Sequence, residues 1–562
     1  MRLKGISSQL VILAGASAFL GAAAQPNEVF LYGNWLAGFA FLVPLYHALR
    51  IADTPGQAAS AGAVFGMLHH ALTSYWLFFY KNFAFWTLGT TTLAYGAVYA
   101  AAIMYLWYAL RASENAAPLT FAFGWAALEY AKSSGFLAYP WGLAPYAFSA
   151  VPLLLQTADI WGVYGISSCM ALTAATVDEL LQRPGMPGSP GLPSVHTYMS
   201  ASSTSSWFEK QMLRRRTGIW LGIAALTIVA MILYGFFALA EPRAVRTDLR
   251  LILCQQNTDP WISGEQTALE SNVNLAAREL ERLRTSLEDP ADLVVFSETS
   301  LRRPFAEYRS WFDVHPRDLS LLGLLRTYQI PLFTGLPLIW DWNTFEASNS
   351  VALISADGSV LESYAKMHPV PFAEAIPFWE FAWFRNFLQK VIGIESGWVM
   401  GTRPVIFSLV KSPSRGGDTV RFAAPICFED AFAPMNRAFY WNGAELLINL
   451  TNDSWSRTQS AQIQHWAVAR MRAIELRRTL VRSTNSGLTC VIDATGRNIA
   501  ELPMFEAAVM TVRAPVYEDP PTFYAMHGDW FAHCSLFWMF CIIVYGILHE
   551  HAASTRRKHY TR

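Results

Sequence analysis

The sequence predicts an α-helical membrane bundle joined to an extramembrane α/β domain, and three observations lead there. Hydrophobic residues make up 53% of the 562 and charged residues only 15%, with a mean hydropathy of +0.24, well off the soluble norm. Apolar runs long enough to cross a bilayer crowd the first 240 residues and recur near the C-terminus. Between them, 241–520 changes to short strand-like runs alternating with polar helical stretches. A chain of this length is expected to hold at least two domains.

The apolar runs fall at about 7–24, 30–49, 57–80, 86–111, 117–136, 152–181, 217–239 and 529–549, an expectation of eight spans. Loop charge orients them. Arg2 and Lys4, Arg50, Arg111, the cluster Lys210, Arg214, Arg215 and Arg216, and the tail Arg556, Arg557 and Lys558 mark every second boundary. The alternate short loops carry little beyond Lys81 and Lys132. The positive-inside rule then puts both termini in the cytoplasm and 241–520 outside. The first run also has the charged start, apolar core and GAAAQ end of a cleavable signal peptide. A retained span is the expectation, and cleavage leaves the other orientations unchanged. The domains expected are therefore 1–240 with seven spans, 241–520, and 521–562 with the eighth span and a basic tail. Within the first, 182–216 begins with Pro-Gly every third residue and reads as an extended cytoplasmic linker. Tyr139 and Trp141, in YPWGLAPYAF, fall at the outer face, where aromatic rings settle at headgroup level.

Several function classes drop out. A formal net charge of +0 gives no sign of a nucleic-acid partner. Six cysteines show no CxxC spacing, so neither a zinc site nor a disulfide framework is indicated. His69-His70 cannot both face one side of a helix, and His549-Glu550-His551 lacks the HExxH spacing. No metal and no cofactor are expected.

In the outer stretch the candidate strands are LRLILCQQ, DLVVFSE, IPLFTGLP, SVALIS, VRFAAPICF, ELLINLTND, TLVRST, LTCVID and AVMTV, with helices over 264–287 and 458–478. Such alternation argues an α/β layered domain. Three residues at or just beyond strand ends form an acyl-transfer set. Glu298 ends DLVVFSE and can take a proton. Lys366, in SYAKMHPVPF, can hold negative charge. Cys427, in AAPICFED, can attack. Singly, each has a bland alternative: a solvated carboxylate, a surface lysine, a buried thiol. Their shared position, where a layered sheet gathers its site, favours the functional reading.

In order, Glu298, Lys366 and Cys427 resemble the Glu-Lys-Cys triad of the nitrilase (carbon–nitrogen hydrolase) superfamily. More closely, the chain resembles the bacterial apolipoprotein N-acyltransferase family. YPWGLAPYAF, ADIWGVYGIS, KMHPVPFAEAIP, ICFED and the block from Thr451 to Arg497 carry the likeness, which runs from the first span to the last. The resemblance implies an αββα nitrilase-like domain in the periplasm, on a multi-pass protein of the bacterial inner membrane. It implies Glu298 as general base, Lys366 as oxyanion stabiliser and Cys427 as carrier of a thioester-linked acyl chain. Glu374, Glu429 and Pro377 match supporting positions, and Trp261 and Asn349 align with substrate-contacting ones. The family usually has tyrosine where this chain has Phe428, so any hydroxyl role there is lost. Ser297 replaces the proline commonly found before the base.

The activity implied is transfer of a fatty acyl chain from a phospholipid, usually phosphatidylethanolamine, to the α-amine of a diacylated apolipoprotein, by a monomer. A membrane-tethered amidase or nitrilase with the same triad is the alternative enzyme. A multi-span transporter or scaffold is the non-enzymatic one, and the paucity of charges within the spans speaks against it. In 375–400, Trp379, Trp383, Phe384 and Phe387 lie close after Glu374. They form either a helix packed on the core or an arm that dips into the outer leaflet.

Overall fold

The computed structural model describes residues 8–80, 85–182, 205–259, 262–286, 288–344, 346–371, 374–375, 381–392 and 398–560. The chain divides into two compact units, one of 1–133, 141–240 and 529–562, the other of 134–140 and 241–528.

In the first unit, helices occupy all the expected apolar runs. They are Ser8–Ala24, Trp35–Ala40 with Leu42–Ile51, Pro55–Thr73, Thr91–Ala112, Ala117–Lys132, Ala158–Leu181, Ser205–Ala240 and Trp530–Tyr560. Four described stretches are long and apolar enough to cross a membrane: Phe85–Ala112, Ala158–Leu181, Arg216–Ala240 and Trp530–His549. The remaining runs give shorter or more polar helices. Ser8–Ala24 and Trp35–Ile51 are apolar but shorter, and Pro55–Thr73 carries Gln57, Ser60, His69 and His70. Most of the expected linker lies outside the described residues, but its end does not. The backbone is helical from Ser205, because Glu209, Lys210, Gln211, Met212, Leu213 and the arginines that follow are strong helix formers.

Helices Pro55–Thr73 and Thr91–Ala112 approach closely at Gly62, where a Cβ would lie 2.4 Å from the Tyr99 carbonyl oxygen. Glu129, buried on Ala117–Lys132, accepts from Trp125 Nε1 at 3.0 Å and from the Ala144 amide at 2.8 Å. It thereby ties down the WGLAPYAF loop.

The second unit stacks two six-stranded sheets. In chain order the strands are β1 Val245–Gln255, β2 Leu293–Val295, β3 Leu332–Asp341, β4 Glu346–Ile354, β5 Val360–Ala365, β6 Phe407–Val410, β7 Thr419–Ala423, β8 Leu446–Thr451, β9 Leu480–Thr484, β10 Cys490–Ile492, β11 Asn498–Glu501 and β12 Ala508–Tyr517. One sheet runs β12-β1-β2-β3-β4-β5, the other β6-β7-β8-β9-β10-β11. Both share one pairing pattern, with two parallel ladders flanked by antiparallel ones. Phe333 of β3 meets Phe407 and Phe422 of the second sheet at ring distances of 5.0 and 5.1 Å, so these faces form the internal layer. On the outer face of the first sheet, Ile252, Val294, Leu332 and Ile354 pack with Leu269, Val273, Leu280, Leu321 and Leu325 of helices Glu265–Ser286 and Leu321–Tyr328. Helix Gln459–Leu476 packs on β9 of the second sheet, and helix Ala433–Trp441 packs against that helix. The order α, β, β, α explains the continuous apolar run Leu251–Cys254, which is buried on both faces. The short helix Phe523–His527 docks on this unit through Arg437 Nε and Trp441 Nε1, which donate to the Ala525 carbonyl at 2.6 and 2.8 Å.

Candidate active site

Three strand ends deliver the predicted triad. Glu298 lies just past β2, Lys366 directly follows β5, and Cys427 lies beyond β7. The candidate strand VRFAAPICF does not run through to the thiol. It stops at Ala423, before Pro425, which has no amide hydrogen to continue the ladder. Cys427 instead opens a 3-10 turn, Cys427–Ala431, at φ 49°. A left-handed non-glycine residue costs about 1–3 kcal/mol and persists only where its surroundings over-determine it. Here Ile426 bridges to Leu450, and Asn449 Nδ2 donates to the Pro425 and Cys427 carbonyls at 3.0 and 3.1 Å.

The charged groups share partners. Lys366 Nζ donates to Glu374 Oε1 at 2.8 Å and sits 2.7 Å from its Oε2; Glu298 Oε1 lies 3.8 Å away. Asn349 Nδ2 donates to Glu298 Oε1 at 2.7 Å and to Glu374 Oε1 at 3.0 Å. The Val370 amide closes the ring on Glu374 Oε2 at 2.8 Å. Glu298 is 5% exposed and Lys366 1%, so their fields are little screened. Burial, and then the Glu374 charge, hold the Glu298 carboxyl above its ordinary range, although Lys366 opposes them. Burial pulls the Lys366 ammonium down, but Glu374 and Glu298 outweigh it and keep the group charged. The Cys427 thiol is pushed well up, by burial first and then by Glu298 and Asp453, with Lys366 pulling the other way. Cys427 therefore rests as a thiol, close to the carboxyl of Glu298, whose own pKa is raised.

Glu429 is wholly buried and accepts from the Ile426, Met367 and His368 amides at 2.8, 2.7 and 2.9 Å. Tyr364 Oη donates to both its oxygens at 3.0 and 3.1 Å. Burial holds its carboxyl at about 7 against those donors. Glu429 thus laces the Lys366 segment to the cysteine turn. Phe428 is buried against Phe432 and His368, at ring distances of 4.9 and 5.9 Å, so it supplies an apolar wall. Trp261, Pro377 and Trp379 lie outside the described residues. Trp383, on helix Ala382–Ile392, is 72% exposed.

Sequence reasoning missed several neighbours. Asp430, Asp453, His465 and Arg482 form a buried ionic group behind the cysteine turn. Asn452 Nδ2 donates to Thr299 Oγ1 at 3.1 Å beside the base. The block from Thr451 to Arg497 held three of the four ionic residues, but nothing in their spacing links them to Asp430. Gly335 was also unremarked. A Cβ there would lie 2.5 Å from the Thr299 amide nitrogen and 2.7 Å from Glu298 Cα. Gly335→Ala must therefore displace the base's own backbone, an overpacking cost of about 1–3 kcal/mol. We expect it to cut acyl transfer more than tenfold with the fold retained, as read by thermal melting alongside activity.

Both parts of the chain are similar to known proteins. Residues 16–176 match the model of the apolipoprotein N-acyltransferase N-terminal domain, and 252–516 that of carbon-nitrogen hydrolase. The chain is 36% identical over 533 residues to apolipoprotein N-acyltransferase 2 of Treponema denticola, covering 95% of this chain and 96% of the relative. It is 37% identical over 550 residues to apolipoprotein N-acyltransferase 2 of Treponema pallidum, covering 92% of each. A solved amidase from Nesterenkonia sp. is similar at 19% identity and a TM-score of 0.35, over 53% of this chain and 99% of the amidase. With both of its parts matched and full-length relatives above 30% identity, the chain belongs to the apolipoprotein N-acyltransferase family.

Proposed function

We propose that this protein transfers a fatty acyl chain from a membrane phospholipid to the α-amino group of the N-terminal diacylglyceryl-cysteine of lipoproteins, the last step of their maturation. The observation that carries the reading is the gathering of buried Glu298 and Lys366 with half-buried Cys427 in a chain related over its full length to apolipoprotein N-acyltransferases. Glu298 takes the thiol proton as Sγ attacks the ester carbonyl carbon. The tetrahedral oxyanion is stabilised by Lys366, a donor whose loss costs about 3 kcal/mol, or a hundredfold in rate. The C–O bond then breaks, Glu298 returns the proton to the lysophospholipid alkoxide, and a thioester remains on Cys427. In the second half the acceptor amine attacks the thioester, the C–S bond breaks, and the amine's proton passes through Glu298 to the thiolate. An amide is formed, with ping-pong kinetics.

Glu374, Glu429, Asn349 and Phe428 support the triad in this reading, with Trp261 and Pro377 alongside. The donor is phosphatidylethanolamine, the acceptor a diacylated apolipoprotein and the working unit a monomer; no cofactor takes part. Eight spans, both termini in the cytoplasm and a periplasmic catalytic domain over 241–520 follow from the loop charges, supported by the four long apolar helices.

Incubating the purified protein with labelled phospholipid tests the mechanism. Mass spectrometry will find an acyl adduct on Cys427 in the wild type and none in Cys427→Ser; absence of a wild-type adduct sinks the thioester route. Release of free fatty acid without an amine acceptor favours a hydrolase instead. The exposed Trp383 and Phe387, 72% and 53% accessible, support a lipid-facing arm that also includes Trp379. Replacing Trp383 by serine is expected to impair acylation from phospholipid vesicles several-fold while leaving thermal melting unchanged. Undiminished activity on vesicles counts against the arm.

A further inference from the structure

A side-chain group that the transfer mechanism does not use lies directly behind the nucleophile. His465, on helix Gln459–Leu476, stands between two carboxylates. Its Nδ1 is 2.9 and 3.0 Å from the oxygens of Asp453, and its Nε2 is 3.0 Å from Asp430 Oδ1. A neutral imidazole has one donor and one acceptor nitrogen, so it would turn a lone pair on one of these oxygens; only the imidazolium donates to both. Arg482 contacts Asp430 Oδ2 and stands 3.5 Å from Asp453 Oδ2. All four residues are buried. Two anions and two cations thus make a neutral cluster.

The cluster's attachments matter. Asp430 belongs to the same 3-10 turn as Cys427. Asp453 follows β8, whose Leu450 bridges to Ile426 beside the nucleophile, and Thr451 Oγ1 donates to Asp453 Oδ1 at 3.2 Å. The negative charge of Asp453 acts on both Cys427 and Glu298. We propose that His465 is a positioning residue: its imidazolium clamps the nucleophile turn to the end of β8 and offsets the negative field that Asp453 casts on Cys427 and Glu298. The inference rests on Cys427 being the nucleophile. The mechanism makes no demand for a cation there, since Lys366 already faces the oxyanion. In agreement, Asp453 and Asp430 hold the His465 imidazole up at about 9, against the burial that pulls it down.

The groups facing His465 are Asp430, Asp453 and Arg482, and those acting on Cys427 are Glu298, Lys366 and Asp453. Charge changes in the cluster therefore carry opposite signs at the thiol. The readout is the pH profile of iodoacetamide alkylation at Cys427, resolved by peptide mass spectrometry on the full-length protein in detergent. His465→Gln leaves an uncompensated anion and moves the profile upward by about one pH unit. At neutral pH that is a tenfold smaller thiolate fraction, so alkylation of Cys427 slows about tenfold. Asp453→Asn removes the anion and moves the profile downward. The double variant His465→Gln/Asp453→Asn, again neutral, returns it to within 0.3 unit or about twofold of the wild type. Shifts of the same sign in the two single variants, or none in either, overturn the proposal, since a purely structural clamp would lower stability without a sign pattern. If His465→Gln fails to fold, the downward shift of Asp453→Asn and the neutral double variant still decide it. The acyl-adduct experiment tests the nucleophile independently, because an adduct on wild-type Cys427 with sign-blind variants sinks only the role of His465.

Discussion

Lys366→Met will slow acyl-enzyme formation at least a hundredfold, and Lys366→Arg will not restore it. The ammonium lies within 2.8 Å of Glu374 and 3.8 Å of Glu298, and it is the charged donor beside the thiol. Losing an oxyanion donor alone costs about 3 kcal/mol. Methionine also leaves the buried Glu298 and half-buried Glu374 carboxylates without their cation, a penalty of several kcal/mol that protonation of one of them can relieve. Such protonation would occupy the base as well. Arginine keeps the charge, but its planar fork cannot take the place of a compact ammonium among Glu298, Glu374 and Asn349. Time-resolved mass spectrometry of the labelled adduct reads the rate. A Lys366→Met rate within tenfold of the wild type would remove Lys366 from the mechanism.

Glu298→Gln is expected to lower the same rate by about a hundred- to ten-thousandfold, the range for loss of a positioned general base. The amide oxygen still accepts from Asn349, so the geometry is retained and the loss is chemical. A second readout separates base from scaffold. The Glu298 charge holds the Cys427 thiol up, so its removal moves the alkylation profile of the thiol to lower pH even as transfer collapses. A variant that kept its transfer rate, or whose thiol profile moved upward, would contradict the assignment of Glu298 as base.

The strands readable from sequence are those buried on both faces. Leu251–Cys254 of β1 and Leu446–Ile448 of β8 are continuous apolar runs because sheet and helix cover their two sides. β5, β6 and β11 are not among the candidate strand segments, although the turns at Ala356-Asp357-Gly358 and Ala494-Thr495-Gly496 imply strands after them, and all three lie at sheet edges. Exposure alternates along β6 and β11 and dominates β5, so each shows water half or more of its side chains. Edge strand β12 was seen only over 508–512, although it extends to Tyr517. The eight apolar runs are equally plain, yet four of the described helices have the length and apolar character to span, because an apolar run does not fix the length of the helix that forms within it.

For the site, chain order and local pattern were enough to pick out Glu298, Lys366 and Cys427, since each stands where a strand-like run ends. Local pattern therefore marks the apolar runs of the bundle, the strand and helix alternation of the outer domain and three candidate residues at strand ends. Their surroundings come from contacts between distant segments. The left-handed turn at Cys427, the sharing of Lys366 and Asn349 by two carboxylates, and the Asp430–His465–Asp453–Arg482 cluster join segments far apart along the chain. Charge–charge energies depend on through-space distance and on how much water is excluded. Neither quantity is written in local periodicity, so the raised pKa of the Cys427 thiol follows only from the burial and the charges that the folded domain places around it.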